Sequence, residues 1–129
     1  MNTTDIGRLG EKYSIKFLKQ NKYKIVDKNV HVSHNEVDII ALNKKQNVIV
    51  FCEVKARSVD NDLYSPFGTP ASYVTKDKQF RILTAARTYL SVNTKFQKFQ
   101  PRFDVIEIYL HKDSKKILKI NHIENAFGA

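Results

Sequence analysis

Apolar residues recur three or four positions apart at Ile6, Leu9, Tyr13 and Phe17, which predicts a first helix running to about Gln20 and capped by Thr3 or Thr4, with Asn21 as its stop. The pattern then changes. Tyr23 to Val32 is rich in β-branched residues and reads as a strand, bent near Asp27-Lys28-Asn29. Glu36 to Leu42 and Val48 to Ala56 are two further strands, separated by the turn Asn43-Lys44-Lys45-Gln46-Asn47. Arg57 to Val74 contains Pro66, Gly68 and Pro70 and reads as a long loop. Thr75 can cap a second helix reaching about Val92, with Ile82, Leu83, Ala86, Tyr89 and Leu90 on its apolar side. Arg102 to Leu110 alternates as a strand, His111-Lys112-Asp113-Ser114 turns, and Lys116 to Ile123 is the last strand. The order α-β-β-β-α-β-β predicts an α/β fold, a helix-flanked mixed sheet, as a single domain over residues 1–129.

The register of the second and third strands decides where their acids go. Pairing Asn43 with Val48 sets Asp38 opposite Glu53 and Glu36 opposite Lys55 on one face. The other face then pairs Val37 with Val54, Ile39 with Cys52 and Ala41 with Val50, all apolar. Opposed residues have β-carbons roughly 5 Å apart, and a slip of one residue would split the acids between the two faces. Two opposed carboxylates repel each other, and a hard, oxygen-seeking ion such as Mg²⁺ or Mn²⁺ relieves the conflict. Lys55 on the same face could orient a water or stabilise charge developing on a phosphate. The same spacing also suits an ordinary cross-strand ladder in which Lys55 merely neutralises its neighbours.

Charge adds a candidate substrate. The chain has 22 Lys+Arg against 13 Asp+Glu, a formal net charge of +9, and such a field favours polyanions. A generic basic protein would carry the same field. The single Cys52 lies in an apolar strand and excludes an internal disulfide framework. The start lacks the basic-then-apolar order of a signal peptide, and no apolar run approaches the roughly 20 residues of a membrane helix, so the reading is cytoplasmic with no membrane partner. His31, His34, His111 and His122 lack zinc-site spacing, no phosphate-binding glycine loop is present, and Asp104 and Glu107 read as strand-edge charges.

Glu36-Val37-Asp38-Ile39-Ile40-Ala41 followed by Phe51-Cys52-Glu53-Val54-Lys55-Ala56-Arg57 resembles the YraN-type family of small bacterial proteins. That family in turn resembles the PD-(D/E)XK restriction-endonuclease-like superfamily, especially archaeal Holliday-junction resolvases. The likeness covers nearly the whole chain. It includes Gly7-Arg8-Leu9-Gly10-Glu11, Phe67-Gly68-Thr69-Pro70-Ala71, Val74-Thr75-Lys76, Arg102-Phe103-Asp104-Val105-Ile106 and His122-Ile123-Glu124-Asn125-Ala126-Phe127. One departure is Asn35, where the family usually has glycine.

The resemblance implies Asp38 and Glu53 as metal ligands, Lys55 as the catalytic lysine, and Glu11 as a first-helix carboxylate completing a Mg²⁺ (or Mn²⁺) site. Gly7, Glu11, Ser14 and Leu18 share a helical strip, and small residues at Gly7 and Ser14 would let that helix approach the sheet closely. Lys76, Lys78 and Arg81 early in the second helix, with Arg57, are candidate phosphate contacts, and Tyr64 and Phe67 are candidate base-stacking residues. The expectation is a metal-dependent nuclease, with DNA ahead of RNA as its substrate. Symmetric cutting of two strands would suit a homodimer. The alternative is a non-catalytic nucleic-acid-binding module on the same fold.

Overall fold

The computed structural model describes residues 3–60 and 74–128. Its elements are α1 (Thr3–Gln20), β1 (Lys24–Val32), β2 (Asn35–Asn43), β3 (Val48–Val59), α2 (Lys76–Val92), β4 (Gln100–His111) and β5 (Ile117–Phe127), with a short 3-10 turn at Thr94–Phe96. The strands form one sheet in the order β1-β2-β3-β4-β5. Its neighbours are antiparallel except β3 and β4, which run parallel, so α2 lies in the crossover between them. The helix-flanked mixed sheet and its element order are as the hydrophobic pattern predicts.

Each helix closes a separate core. Ile6, Leu18 and Tyr23 pack with Ile39, Ala41, Val50, Cys52, Ile106, Ile108 and Leu110 on one face of the sheet. Ile82, Ala85, Ala86 and Tyr89 of α2 pack with Ile40, Leu42, Ile49, Phe51, Phe103 and Val105 on the other. Alternation along β3 therefore sends Val50, Cys52, Val54 and Ala56 toward α1, and Ile49 and Phe51 toward α2.

The closest approach of α1 to the sheet is at Gly10. A β-carbon there would stand 2.5 Å from Ala56 Cβ, whereas one at Gly7 would meet nothing within 4 Å. The small-residue contact expected of Gly7 belongs to Gly10, because the buried line of the helix is Ile6, Gly10, Ser14 and Leu18. The helix ends as its sequence suggests. Lys22 takes a left-handed conformation, with φ of 71°. The Tyr23 amide then bonds to the Leu18 carbonyl at 3.0 Å and the Lys22 amide to the Lys19 carbonyl at 3.2 Å, a Schellman closure. The caps expected of Thr3 and Thr4 fall outside the described side chains. Thr75 does cap α2, accepting the Lys78 amide at 3.1 Å.

Two strand ends run longer than the pattern suggests. β3 continues through Arg57 to Val59, paired with β4 as far as His111, and β5 extends to Phe127. Asp104 and Glu107 are not edge charges, because β4 is an interior strand and both side chains are buried. Asp104 accepts from Arg102 Nε at 2.9 Å and Nη2 at 2.8 Å, from the Asn125 amide at 3.0 Å, and meets His122 Nε2 at 2.6 Å. These partners hold its carboxyl below the usual range against the cost of burial.

Candidate active site

Glu53 follows the same alternation as Ile49 and Phe51, so it and Lys55 face α2. Glu53 is only 4% exposed. Two ammonium groups approach its Oε2: Lys55 Nζ from the same strand at 3.9 Å and Lys78 Nζ from the first turn of α2 at 3.6 Å. The second helix thus delivers to the acid a lysine that the sequence suggests only as a phosphate contact.

Asp38 meets this cluster from β2. The expected register holds from Asn43–Val48 to Ile39–Cys52 and ends there. Beyond that point, Asp38 is not a ladder partner of Glu53: its Oδ2 accepts the Val54 amide at 2.8 Å. Two neighbouring expectations fail for the same reason. Val37 is paired with Val30 of β1 but not with Val54 of β3, and it joins the α2-side core. Glu36 is likewise paired with His31 of β1 but not with Lys55 of β3. The divergence of β2 from β3 opens a place where a side-chain carboxylate substitutes for a strand carbonyl.

The electrostatics of the pair are strained. Burial pushes the Glu53 carboxyl up, a hydrogen bond to Asp38 and the Asp38 charge push it further, and Lys78 and Lys55 pull it back, leaving it at about 8. The conflict between the two acids thus falls on Glu53, whose charged form is disfavoured by its burial and by Asp38 beside it. The donors are hard oxygens and are deprived of full charge compensation, which is the chemistry a divalent cation satisfies. Asp38 and Glu53 are the residues that could hold such an ion.

Glu11 sits differently. Its Oε1 accepts from Asn29 Nδ2 at 2.8 Å. Burial raises its carboxyl, the Asn29 bond and Lys28 lower it, and Asp38 and Glu36 raise it. Glu11 thus lies within the field of Asp38 but is tied to β1 by Asn29, whose φ of 50° marks the bend expected near Asp27-Lys28-Asn29. Among the described residues, no group of three His, Cys, Asp or Glu side chains is arranged to hold a metal. The cluster is a carboxylate pair with Glu11 at its margin.

The remaining candidates are dispersed. Lys76 is exposed at the start of α2. Arg81 bonds to Asp77 one turn away at 3.0 Å. Arg57 lies on β3 beside Tyr109 of β4, within a strand where a loop was expected. Tyr64 and Phe67 lie outside the described residues. Sequence reasoning missed Glu107, which stands in register with Lys55 on β4 and accepts from Asn121 Nδ2 of β5 at 2.6 Å. Its signal was an acid among Phe103 and Val105, on the apolar alternation of β4.

A family model described as "Uncharacterised protein family UPF0102" matches residues 10–108, which contain Glu11, Asp38, Glu53 and Lys55. The chain belongs to the UPF0102 family. A UPF0102 protein of Caldanaerobacter subterraneus subsp. tengcongensis is 41% identical over 127 residues, covering 98% of each chain. A UPF0102 protein of Clostridium perfringens is 44% identical over 122 residues, 95% of this chain and 93% of its own. One of Dictyoglomus thermophilum is 43% identical over 129 residues, 98% of this chain and 100% of its own. UPF0102 is the YraN-type family that the sequence motifs suggest.

Proposed function

We propose that this UPF0102 protein is a divalent-cation-dependent nuclease whose chemistry is carried by Asp38, Glu53 and Lys55. The observation behind this reading is the pairing of a buried Glu53 with Asp38 beneath two lysine ammonium groups. A structural ladder would compensate a buried acid fully, as Asp104 is compensated. Glu53 keeps a raised pKa instead, which is the mark of a group poised for a ligand. The net charge of +9 supplies the attraction for a polyanionic substrate.

In this reading Asp38 and Glu53 hold Mg²⁺ or Mn²⁺, which when bound polarises the scissile phosphate and lowers the pKa of a water. The chain's own groups do the rest. The Val54 amide fixes one Asp38 oxygen. Lys55 stabilises negative charge developing on the phosphate. Lys78 moves from Glu53 to a non-bridging phosphate oxygen of the strand being cut, and Lys76, Arg81 and Arg57 add backbone contacts. Glu11 acts through the field it shares with Asp38.

The test is cleavage of a labelled panel of branched, flapped, duplex and single-stranded DNA and RNA with Mg²⁺, with Mn²⁺ and with EDTA. Metal-dependent cutting by the wild type, reduced at least about 100-fold in Asp38→Ala and Lys55→Ala, is expected. A second reading, a binding module that does not cut, is favoured by one observation: Glu11 is engaged by Asn29 and, among the described residues, completes no three-ligand group. That reading predicts salt-sensitive binding, unchanged by metal, with no product from any substrate.

A further inference from the structure

The geometry points to a second nucleic-acid contact surface at one end of the sheet, beyond the carboxylate pair at its middle, an inference that rests on the reading of this chain as a nucleic-acid enzyme. Three connections end there. Lys22 and Lys24 flank the start of β1, Lys44 and Lys45 form the β2–β3 turn, and Lys95 and Lys98 lie between α2 and β4. The strand directions bring these segments together. Lys24 pairs with Leu42 at the end of β2, and Val48 at the start of β3 pairs with Gln100 at the start of β4. The turn is tied down as well: Asn47 Nδ2 donates to the Lys98 carbonyl at 3.3 Å, and the Gln100 amide donates to the Asn47 carbonyl at 2.9 Å. Lys24 and Lys95 line one cavity of about 450 Å³.

All six lysines are exposed. The carboxylates nearby are already engaged. Asp104 and Glu124 pair with Arg102 at 2.8 Å and 3.6 Å, and Asp27 accepts from the Tyr89 hydroxyl at 3.4 Å. Lys95 and Lys98 lie over the rings of Phe96 and Phe99, at 5.2 Å and 5.6 Å from their centroids, which stiffens their stems. The result is a pole of uncompensated positive charge on ordered turns. A phosphate backbone fits it, since it presents one negative charge per roughly 1.7 Å of duplex axis. Glu53 lies five residue steps along β3 from Val48, a rise of roughly 17 Å. A duplex running along β3 from the carboxylate pair would reach the pole about half a helical turn away.

The deciding measurement is the salt dependence of binding to a labelled 20-base-pair duplex by fluorescence anisotropy, in EDTA. The variants are a Lys44→Gln, Lys45→Gln, Lys95→Gln, Lys98→Gln quadruple, its charge-keeping Lys→Arg counterpart, and a control quadruple of Lys112, Lys115, Lys116 and Lys119→Gln. Each neutralised phosphate contributes about 0.9 to the slope of log K against log salt. The pole quadruple is therefore expected to flatten the slope by up to about 3.6, with the Arg version near wild type and the control changed by less than about 1. Equal flattening in pole and control variants overturns the surface, as does an unchanged slope in the pole variant. Wild type that binds steeply and never cuts with Mg²⁺ removes the nuclease chemistry and leaves the surface standing. Wild type that ignores nucleic acid and binds phosphatidylserine vesicles overturns both.

Discussion

Two buried acids in this chain, Asp104 and Glu53, are compensated very differently. Asp104 has Arg102, His122 and the Asn125 amide within hydrogen-bond reach, and its carboxyl is held low. Glu53 has ammonium groups only at 3.6 and 3.9 Å and a second acid beside it, and its carboxyl rises to about 8. A site that keeps such a conflict does so against stability. The sign follows from linkage. Between the ordinary carboxylate range and about 8, the folded chain binds a proton at Glu53 that the unfolded chain has lost. Folding stability at this residue is thus full at acid pH and falls as pH rises through that window. Urea unfolding of the wild type in EDTA should show this decline between pH 5 and pH 8.5. Glu53→Gln, which keeps a donor toward Asp38 without a titrating proton, should show a flatter profile and exceed the wild type at the alkaline end. Parallel profiles for the two proteins would mean that Glu53 is ionised throughout.

At the level of elements, α1 shows where pattern reading stops. The spacing of Ile6, Leu9, Tyr13 and Phe17 was enough to find the helix, and β-branched runs were enough to find the strands. The β2–β3 register was legible too, because the apolar pairs Ile39–Cys52 and Ala41–Val50 leave no other choice. What periodicity could not carry was the place where the register ends, since a strand's divergence at Asp38 depends on β1 bending at Asn29 and on the Val54 amide taking a side-chain acceptor. Nor could it carry Lys78 reaching Glu53, a contact made across the whole β3–α2 connection. The glycines failed for a simpler reason: Gly7 and Gly10 both sit near the apolar stripe, and only packing distinguishes them. Gly10 faces Ala56 with no room for a β-carbon, while Gly7 faces open space. Gly10→Ala must push α1 off β3 and should cost about 1–3 kcal/mol. Gly7→Ala should stabilise by about 0.5–1 kcal/mol, because glycine within a helix gives up more backbone entropy than alanine. Thermal unfolding of the two single variants checks both signs, and Ala56→Gly in the Gly10→Ala background should recover part of the loss.

For the whole molecule, net charge bears on where the proposed cation can bind. A net charge of +9 repels divalent ions from the surface at large, and the carboxylates at the lysine-rich end are engaged by Arg102 and Tyr89. Glu53 differs in that its carboxyl is raised to about 8 beside Asp38, and the proposed cation would take the place of its proton. A cation and that proton compete, so cation binding should strengthen as pH rises toward and past about 8. An ion that binds only the folded chain raises its stability by about 2.7 kcal/mol when present at 100 times its dissociation constant. For a domain of this size that corresponds to a rise in Tm on the order of 10 °C. Saturating Mg²⁺ or Mn²⁺ should therefore raise the Tm of the wild type at pH 8 by several degrees, and by distinctly less at pH 5.5, relative to NaCl of equal ionic strength. Asp38→Asn and Glu53→Gln should each remove most of this increment while Glu11→Gln removes a smaller part, because Glu11 touches the pair only through its field on Asp38. An increment that survives in Asp38→Asn would put the ion elsewhere and leave Asp38 as a structural acceptor tying β2 to the Val54 amide of β3.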